Sequence, residues 1–197
     1  MSFPYSSITV FCGSADGLAP MYYEAAYETG RLIAQNGIRL VYGAGRTGMM
    51  GALAEGALQA NGEVIGVVPN GLESPLLIYT SGLTRLEVVE DIQVRKARMN
   101  ELGQAFIALP GGYGTMDEMF EVLTWSQIGR HRKPCAFLNM NGYFDSLFAW
   151  IERAYQDHFI YAEHLDLYVS DAAPARLLEK LAVFKFPNNI ERWLLRD

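Results

Sequence analysis

The sequence predicts an α/β fold: a parallel sheet covered by helices on both faces. Three observations predict it. Short apolar runs alternate with helix-length patterns along the chain, with turn signals between them. Glycine-bearing loops directly follow several of the apolar runs, as tight strand-to-helix turns require. The chain has 197 residues, 50% hydrophobic and 19% charged, which is the size and composition of one globular domain with a sizeable core. Residues 1–197 therefore read as a single domain.

Ile8 to Phe11 is a short strand of the buried type, ending in Cys12-Gly13-Ser14. A helix starts near Pro20, where proline suits the first turn, and stops at Asn36-Gly37. Ile38 to Tyr42 is the next strand, followed by the glycine loop Gly43 to Gly48. A helix rich in small residues then runs through Ala60 with Gly62 as its cap, and Val64 to Val68 closes a βαβ unit. After the Pro/Gly-rich segment Pro69 to Gly82 come a strand at Leu86 to Val89 and a helix at Asp91 to Leu102. A strand over 105–109 leads into a helix over 115–128, ended by Gly129. Strand 135–139, helix 143–157, a strand near Leu167 to Val169 and a helix opened by Asp171 and Pro174 complete the alternation. The tail from Phe184 to Asp197, with Trp193-Leu194-Leu195, is expected to dock as a short closing element.

Charge and cysteine usage exclude several classes. The net charge of -6 argues against a nucleic-acid surface, which needs clustered Lys and Arg. A small anionic ligand needs only local positive groups and stays possible. Cys12 and Cys135 form no disulfide framework, and His131, His158 and His164 have no metal-ligand spacing, so a reduced, metal-free cytoplasmic protein is expected. No segment approaches the roughly 18 apolar residues of a membrane span, and the stretch after Met1 lacks a basic and hydrophobic leader. No membrane partner is expected.

The stretch Pro110-Gly111-Gly112-Tyr113-Gly114-Thr115-Met116-Asp117-Glu118 carries the most chemistry. It reads as a strand end, a phosphate-sized loop and an acid-bearing helix start. Glycines admit close approach of backbone N–H groups, and the open N–H groups of a new helix favour an anion. Gly13 to Gly17 and Gly43 to Gly48 look like similar cradles, although tight turns need glycine with or without a ligand. The second loop fits G-x-G-x-x-G, yet the next strand ends in Val67-Val68-Pro69-Asn70 without the acid that a dinucleotide site wants. In open sheets ligands bind beyond the carboxyl ends of the strands, where all three loops belong.

Arg95-Lys96-Ala97-Arg98-Met99 supplies positive charge. A basic run on a helix is commonly a solvated face. Ile92, Arg95, Met99 and Leu102 nevertheless recur at helical spacing, so Arg95 belongs to an inward stripe and needs an anionic partner. That partner is either Glu118 in a structural ion pair or an incoming phosphate or carboxylate. Asp117 and Glu118 could merely complement a helix dipole. The helix around them is too apolar for a plain surface, and Glu118, Glu121, Val122 and Trp125 share one side, where a carboxylate is partly desolvated.

These residues match a known pattern. Arg95-Lys96-x-x-Met99 followed by Pro110-Gly111-Gly112-x-Gly114-Thr115-x-x-Glu118 resembles the signature of the Lonely Guy (LOG) family, cytokinin riboside 5′-monophosphate phosphoribohydrolases often labelled possible lysine decarboxylases. Phe11-Cys12-Gly13-Ser14, Val41-Tyr42-Gly43-x-Gly45, Gly48-x-Met50-Gly51 and Thr124-Trp125 extend the likeness over nearly the whole chain. The resemblance implies a Rossmann-like, doubly wound homodimer. Its implied reaction is hydrolysis of the N-glycosidic bond of an adenine-type nucleoside 5′-monophosphate, a cytokinin riboside or AMP, to free base and ribose 5-phosphate, with no cofactor. By motif, Arg95 and Glu118 are the expected catalytic residues. Lys96, Gly112, Tyr113, Gly114, Thr115, Met116, Asp117 and Thr124 are expected to bind substrate, with Gly13, Ser14, Gly43 and Gly45 from the earlier loops. Ile92-Gln93-Val94 lacks a histidine common beside the family signature, Asp117 replaces a frequent Glu and Ala44 a frequent Gly; these bear on substrate preference.

The chemistry agrees with the residues. Cleaving a ribosyl C–N bond builds positive charge on the sugar, so a fixed carboxylate such as Glu118 can stabilise that cation or activate water. A lysine decarboxylase would need a Schiff-base lysine with supporting groups, which Lys96 in its helical run does not offer. A nucleotide carrier on the same scaffold is the alternative from another class. It shares the phosphate cradle but has no use for Glu118 and its cation. The apolar segments around Trp125 and from Phe144 to Trp150 suit a subunit interface or a core equally.

Overall fold

The computed structural model describes residues 3–72 and 74–190. Seven strands, β1 (Ser7–Phe11), β2 (Arg39–Tyr42), β3 (Val64–Pro69), β4 (Arg85–Val89), β5 (Ala105–Ala108), β6 (Cys135–Leu138) and β7 (Tyr168–Asp171), form one sheet in the order β4-β3-β2-β1-β5-β6-β7. Every pairing is parallel. Each crossover passes through a helix or a helix-bearing segment, except that β3 reaches β4 through the loop 70–84. The helices are α1 (Pro20–Gln35), α2 (Gly48–Gln59), α3 (Ile92–Leu102), α4 (Tyr113–Gln127), α5 (Asp145–Gln156) and α6 (Pro174–Ala182).

The sheet separates two apolar layers. Ala26 and Ile33 of α1, Met49 and Leu53 of α2 and Leu177 and Leu181 of α6 pack on one face. Met99 of α3, Met119 and Val122 of α4 and Phe144 pack on the other. The central strands are buried from end to end, so their sequences are continuously apolar instead of alternating. The two polar exceptions in β1 bond across to α3: Ser7 Oγ donates to Leu102 O at 2.7 Å and Thr9 Oγ1 to Met99 O at 2.8 Å. β4, on the edge, stays half exposed.

From β1 the chain winds outward through β2, β3 and β4, then returns to the other side of β1 at β5. The crevice between β1 and β5 is therefore the topological switch point, where doubly wound sheets bind ligands. The parallel sheet and its two helical layers match the sequence expectation, with local corrections. Helix α4 starts at Tyr113, inside the glycine motif, because Gly112 serves as its N-cap. The left-handed residue closing α2 is Asn61 at φ 57°, not Gly62. A 3-10 turn at Met140–Gly142 delays α5 to Asp145. Phe144 is 2% exposed and belongs to the core, whereas Trp150 is 59% exposed. In the tail, Phe186 and Ile190 pack against the α3/α4 layer, and Trp193 to Leu195 lie outside the described residues. Among the described residues no helix is long and apolar enough to cross a membrane.

Candidate active site

Three strand-end loops meet over the switch point. Gly13 N–H donates to Pro110 O at 3.0 Å, tying the β1 loop to the β5 loop, and Met50 N–H donates to Gly13 O at 3.2 Å, tying in the start of α2. Gly111 is needed for this closeness. A Cβ there would stand 2.1 Å from Thr115 Oγ1 and 2.8 Å from Gly13 N. Tyr143 steadies the loop from outside, its hydroxyl donating to Gly111 O at 2.7 Å.

No side chain caps the N-terminus of α4, so the N–H groups of its first turn remain open to an anion. One turn further in, Glu118 is 6% exposed and accepts from Arg95 Nη1 at 2.5 Å. Arg95, 8% exposed on α3, also donates from Nε to Val67 O at 2.9 Å. The Asp91 side chain caps α3 by accepting from the N–H groups of Gln93 and Val94, which fixes the turn that presents Arg95. The sequence offered two partners for this guanidinium. The structure gives it Glu118, on the wall of an open cavity.

That cavity, ≈ 300 Å³, is lined by Gly13, Ser14, Arg95, Gly112, Gly114, Thr115 and Glu118, together with Cys12, Ala15 and Met50. Burial pushes the Glu118 carboxyl above the ordinary range; Arg95 pulls it back without cancelling the effect. Burial and the neighbouring Glu118 charge also push the Cys12 thiol up, so it stays protonated. An apolar recess of ≈ 230 Å³ shares Gly13, Ala15 and Gly112 with the cavity and adds Leu18, Tyr22, Met49, Pro110 and Tyr143. The larger hollow over α1 and α2, ≈ 690 Å³, carries Asp16, Glu24, Glu28 and Glu55, a poor wall for phosphate.

The remaining expected site residues lie elsewhere. Met116, Asp117 and Thr124 line a separate outer groove of ≈ 370 Å³ with Phe120, Glu121 and Trp125. Lys96 points to that side: its Nζ lies 2.7 Å from Glu121 Oε2 and 3.1 Å from Asp117 Oδ2, contacts that raise its pKa. Glu118 and Trp125, grouped by spacing, thus face different hollows. Ile92 is 47% exposed, so the buried residues of α3 are Arg95, Lys96, Met99 and Asn100. Tyr113 is 99% exposed beside the loop. Gly43 and Gly45 are absent from the cavity wall and pack against Arg95 and Met50 respectively. Sequence reasoning missed Cys12 and Met50 as lining, although Cys12 carried the signal of a strand end. The Val67 carbonyl and the Tyr143 hydroxyl carried none.

A family model described as possible lysine decarboxylase matches residues 50–181. The cytokinin riboside 5′-monophosphate phosphoribohydrolase of Rhodococcoides fascians is 51% identical over 154 residues, 78% of this chain and 78% of that protein. The cytokinin riboside 5′-monophosphate phosphoribohydrolase LOG7 of Arabidopsis thaliana is 43% identical over 156 residues, 79% of this chain and 71% of that protein. Among solved structures, the molybdenum cofactor binding protein of Rippkaea orientalis superposes with a TM-score of 0.65 at 22% identity, covering 88% of this chain and 93% of that one. The molybdenum cofactor carrier protein of Chlamydomonas reinhardtii gives 0.64 at 21%, covering 89% and 94%. These two likenesses show the shared fold alone. Matched by the family model over most of its length and by the bacterial and plant enzymes at 51% and 43% identity, the chain belongs to the Lonely Guy (LOG) family of phosphoribohydrolases.

Proposed function

We propose that the protein hydrolyses the N-glycosidic bond of an adenine-type nucleoside 5′-monophosphate, a cytokinin riboside monophosphate or AMP, releasing the free base and ribose 5-phosphate. The observation that carries this reading is a buried carboxylate, Glu118, held by Arg95 at 2.5 Å in the same cavity as the uncapped start of α4. In this reading the 5′-phosphate takes the open N–H groups from Gly112 to Thr115, and that remote grip orients the anomeric carbon toward Glu118. As the C–N bond breaks, its electron pair leaves with the base. The carboxylate stabilises the positive charge left on the sugar and takes a proton from the water whose oxygen bonds to that carbon. The base takes up one proton from solvent, and Glu118 returns to solvent the proton it took from the water. Arg95 opposes the burial that favours the neutral form of this carboxyl.

The apolar recess beside the cavity supports a ligand with an uncharged portion larger than ribose phosphate alone. A lysine decarboxylase gains no support, because Lys96 is held as a cation between Glu121 and Asp117. We also infer a homodimer, supported by the apolar groove of Met116, Phe120 and Trp125 and the exposed Trp150 ring against Phe120. Two buried free cysteines support a reducing, cytoplasmic compartment.

The test is incubation with AMP and with isopentenyladenosine monophosphate, followed by chromatography for free base. The parent protein releases base, and Glu118→Gln slows release about 10²–10⁴-fold while remaining folded. An unchanged rate in that variant removes Glu118 from the chemistry. Tight nucleotide binding with no base released by the parent identifies a carrier instead.

A further inference from the structure

Gly43 opens a loop that looks like a phosphate cradle, yet the backbone of the next three residues is committed elsewhere. Arg46 N–H donates to Leu77 O at 3.0 Å, Tyr79 N–H donates to Ala44 O at 3.0 Å, and Gly45 bridges to Ile78. The loop is thus stitched to the segment 74–79. Its neighbour across the sheet edge is Arg95. A Cβ on Gly43 would stand 2.0 Å from Arg95 Nη2, 3.2 Å from Cζ and 3.3 Å from Met50 Cε.

The guanidinium cannot yield easily. It is rigid and planar, with Nε fixed on Val67 O at 2.9 Å and Nη1 on Glu118 at 2.5 Å. To reach an ordinary contact of 3.4 Å from a new methyl, Nη2 has to retreat by about 1.4 Å, which breaks one of those two bonds or drives the group into the cavity. Among the described residues no protein group accepts from Nη2, which lies against the bare Gly43 backbone.

We propose that Gly43 is a positioning residue for catalysis: its missing side chain forms the seat that sets Arg95 against Glu118. This rests on the reading of Arg95 and Glu118 as the catalytic pair. The glycine acts through the guanidinium and makes no contact with the phosphate.

The experiment is a double-mutant cycle of Gly43→Ala and Arg95→Lys, with kcat and KM for AMP and the pH dependence of kcat for each form. Lysine lacks Nη2, so it has nothing to collide with the methyl. Gly43→Ala is expected to lower kcat about 100-fold, the cost of an ångström-scale misplacement, with KM within about twofold of the parent. The acid limb of kcat moves to higher pH, because Glu118 loses the cation that opposes its burial. In the Arg95→Lys background the same substitution costs less than about threefold more. A rise in KM with additive losses marks a phosphate cradle and overturns the proposal, as does an unchanged kcat. If Gly43→Ala fails to fold in both backgrounds, the glycine serves the main chain alone and the proposal falls. Glu118→Gln measured alongside separates the two readings. Full turnover there defeats the catalytic pair, whereas an inactive Glu118→Gln beside an unaffected Gly43→Ala defeats only the seat.

Discussion

Replacing Arg95 by Met removes the cation beside Glu118 and keeps a stem of similar length. Glu118 is 6% exposed, so its carboxylate would be left nearly dry and alone, a situation that costs about 3–5 kcal/mol when a buried pair is broken. The carboxyl has one escape, which is to bind a proton. Starting from an unfolded pKa of about 4.3, that costs about 1.36 kcal/mol per pH unit above it: about 3.7 kcal/mol at pH 7 and about 1 kcal/mol at pH 5. This sets the ceiling on the electrostatic loss. The Val67 carbonyl also loses its donor, a contribution of about 1 kcal/mol without pH dependence. A folded carboxyl with a raised pKa holds protons that the unfolded chain has released, so its contribution is fullest at low pH and is lost as pH rises. The parent has the same sign, because burial raises Glu118 even beside Arg95, but the guanidinium damps it. Urea midpoints of parent and Arg95→Met at pH 5, 6 and 7 should therefore diverge with rising pH. A stability difference that is flat across this range would refute the claim that Arg95 compensates a buried Glu118.

Two further outcomes follow from contacts outside the pair. Tyr143→Phe removes the hydroxyl that holds Gly111 O at 2.7 Å, so KM for the nucleotide should rise severalfold with kcat nearly unchanged; steady-state kinetics with AMP checks it, and an unchanged KM excludes a role in loop positioning. Trp150→Glu puts a charge on a ring that is 59% exposed against Phe120, and light scattering should show the parent as a dimer and the variant as a monomer. A monomeric parent, or an unaltered mass in the variant, rejects this face as the subunit contact.

The sheet was legible because parallel strands buried on both faces leave short apolar runs that helices must separate, and β1, β3 and β5 obey that pattern. The pairing of Arg95 with Glu118 was legible in part. Helical spacing turned Arg95 inward, and the glycine motif set Glu118 one turn inside α4. Spacing failed for Trp125, because residues that share one side of a helix can still open onto different hollows. It failed for Ile92 too, which stands at the first position of α3. The glycines of the second loop misled for a different reason. A bare Cα reads the same in sequence whether a phosphate or a distant guanidinium needs the space, and only the tertiary fold brings Arg95 to Gly43.

The lacing of the glycine loops has a consequence for how the empty protein meets its ligand. Leu109 N–H bonds to Phe11 O at 2.9 Å immediately before Gly13 bonds to Pro110, so the ladder of the two middle strands continues into the floor of the cleft without a break. A floor that prolongs the sheet shares the sheet's backbone bonding. This part of the receptor is built before a ligand arrives, which spares binding the cost of ordering the cleft floor.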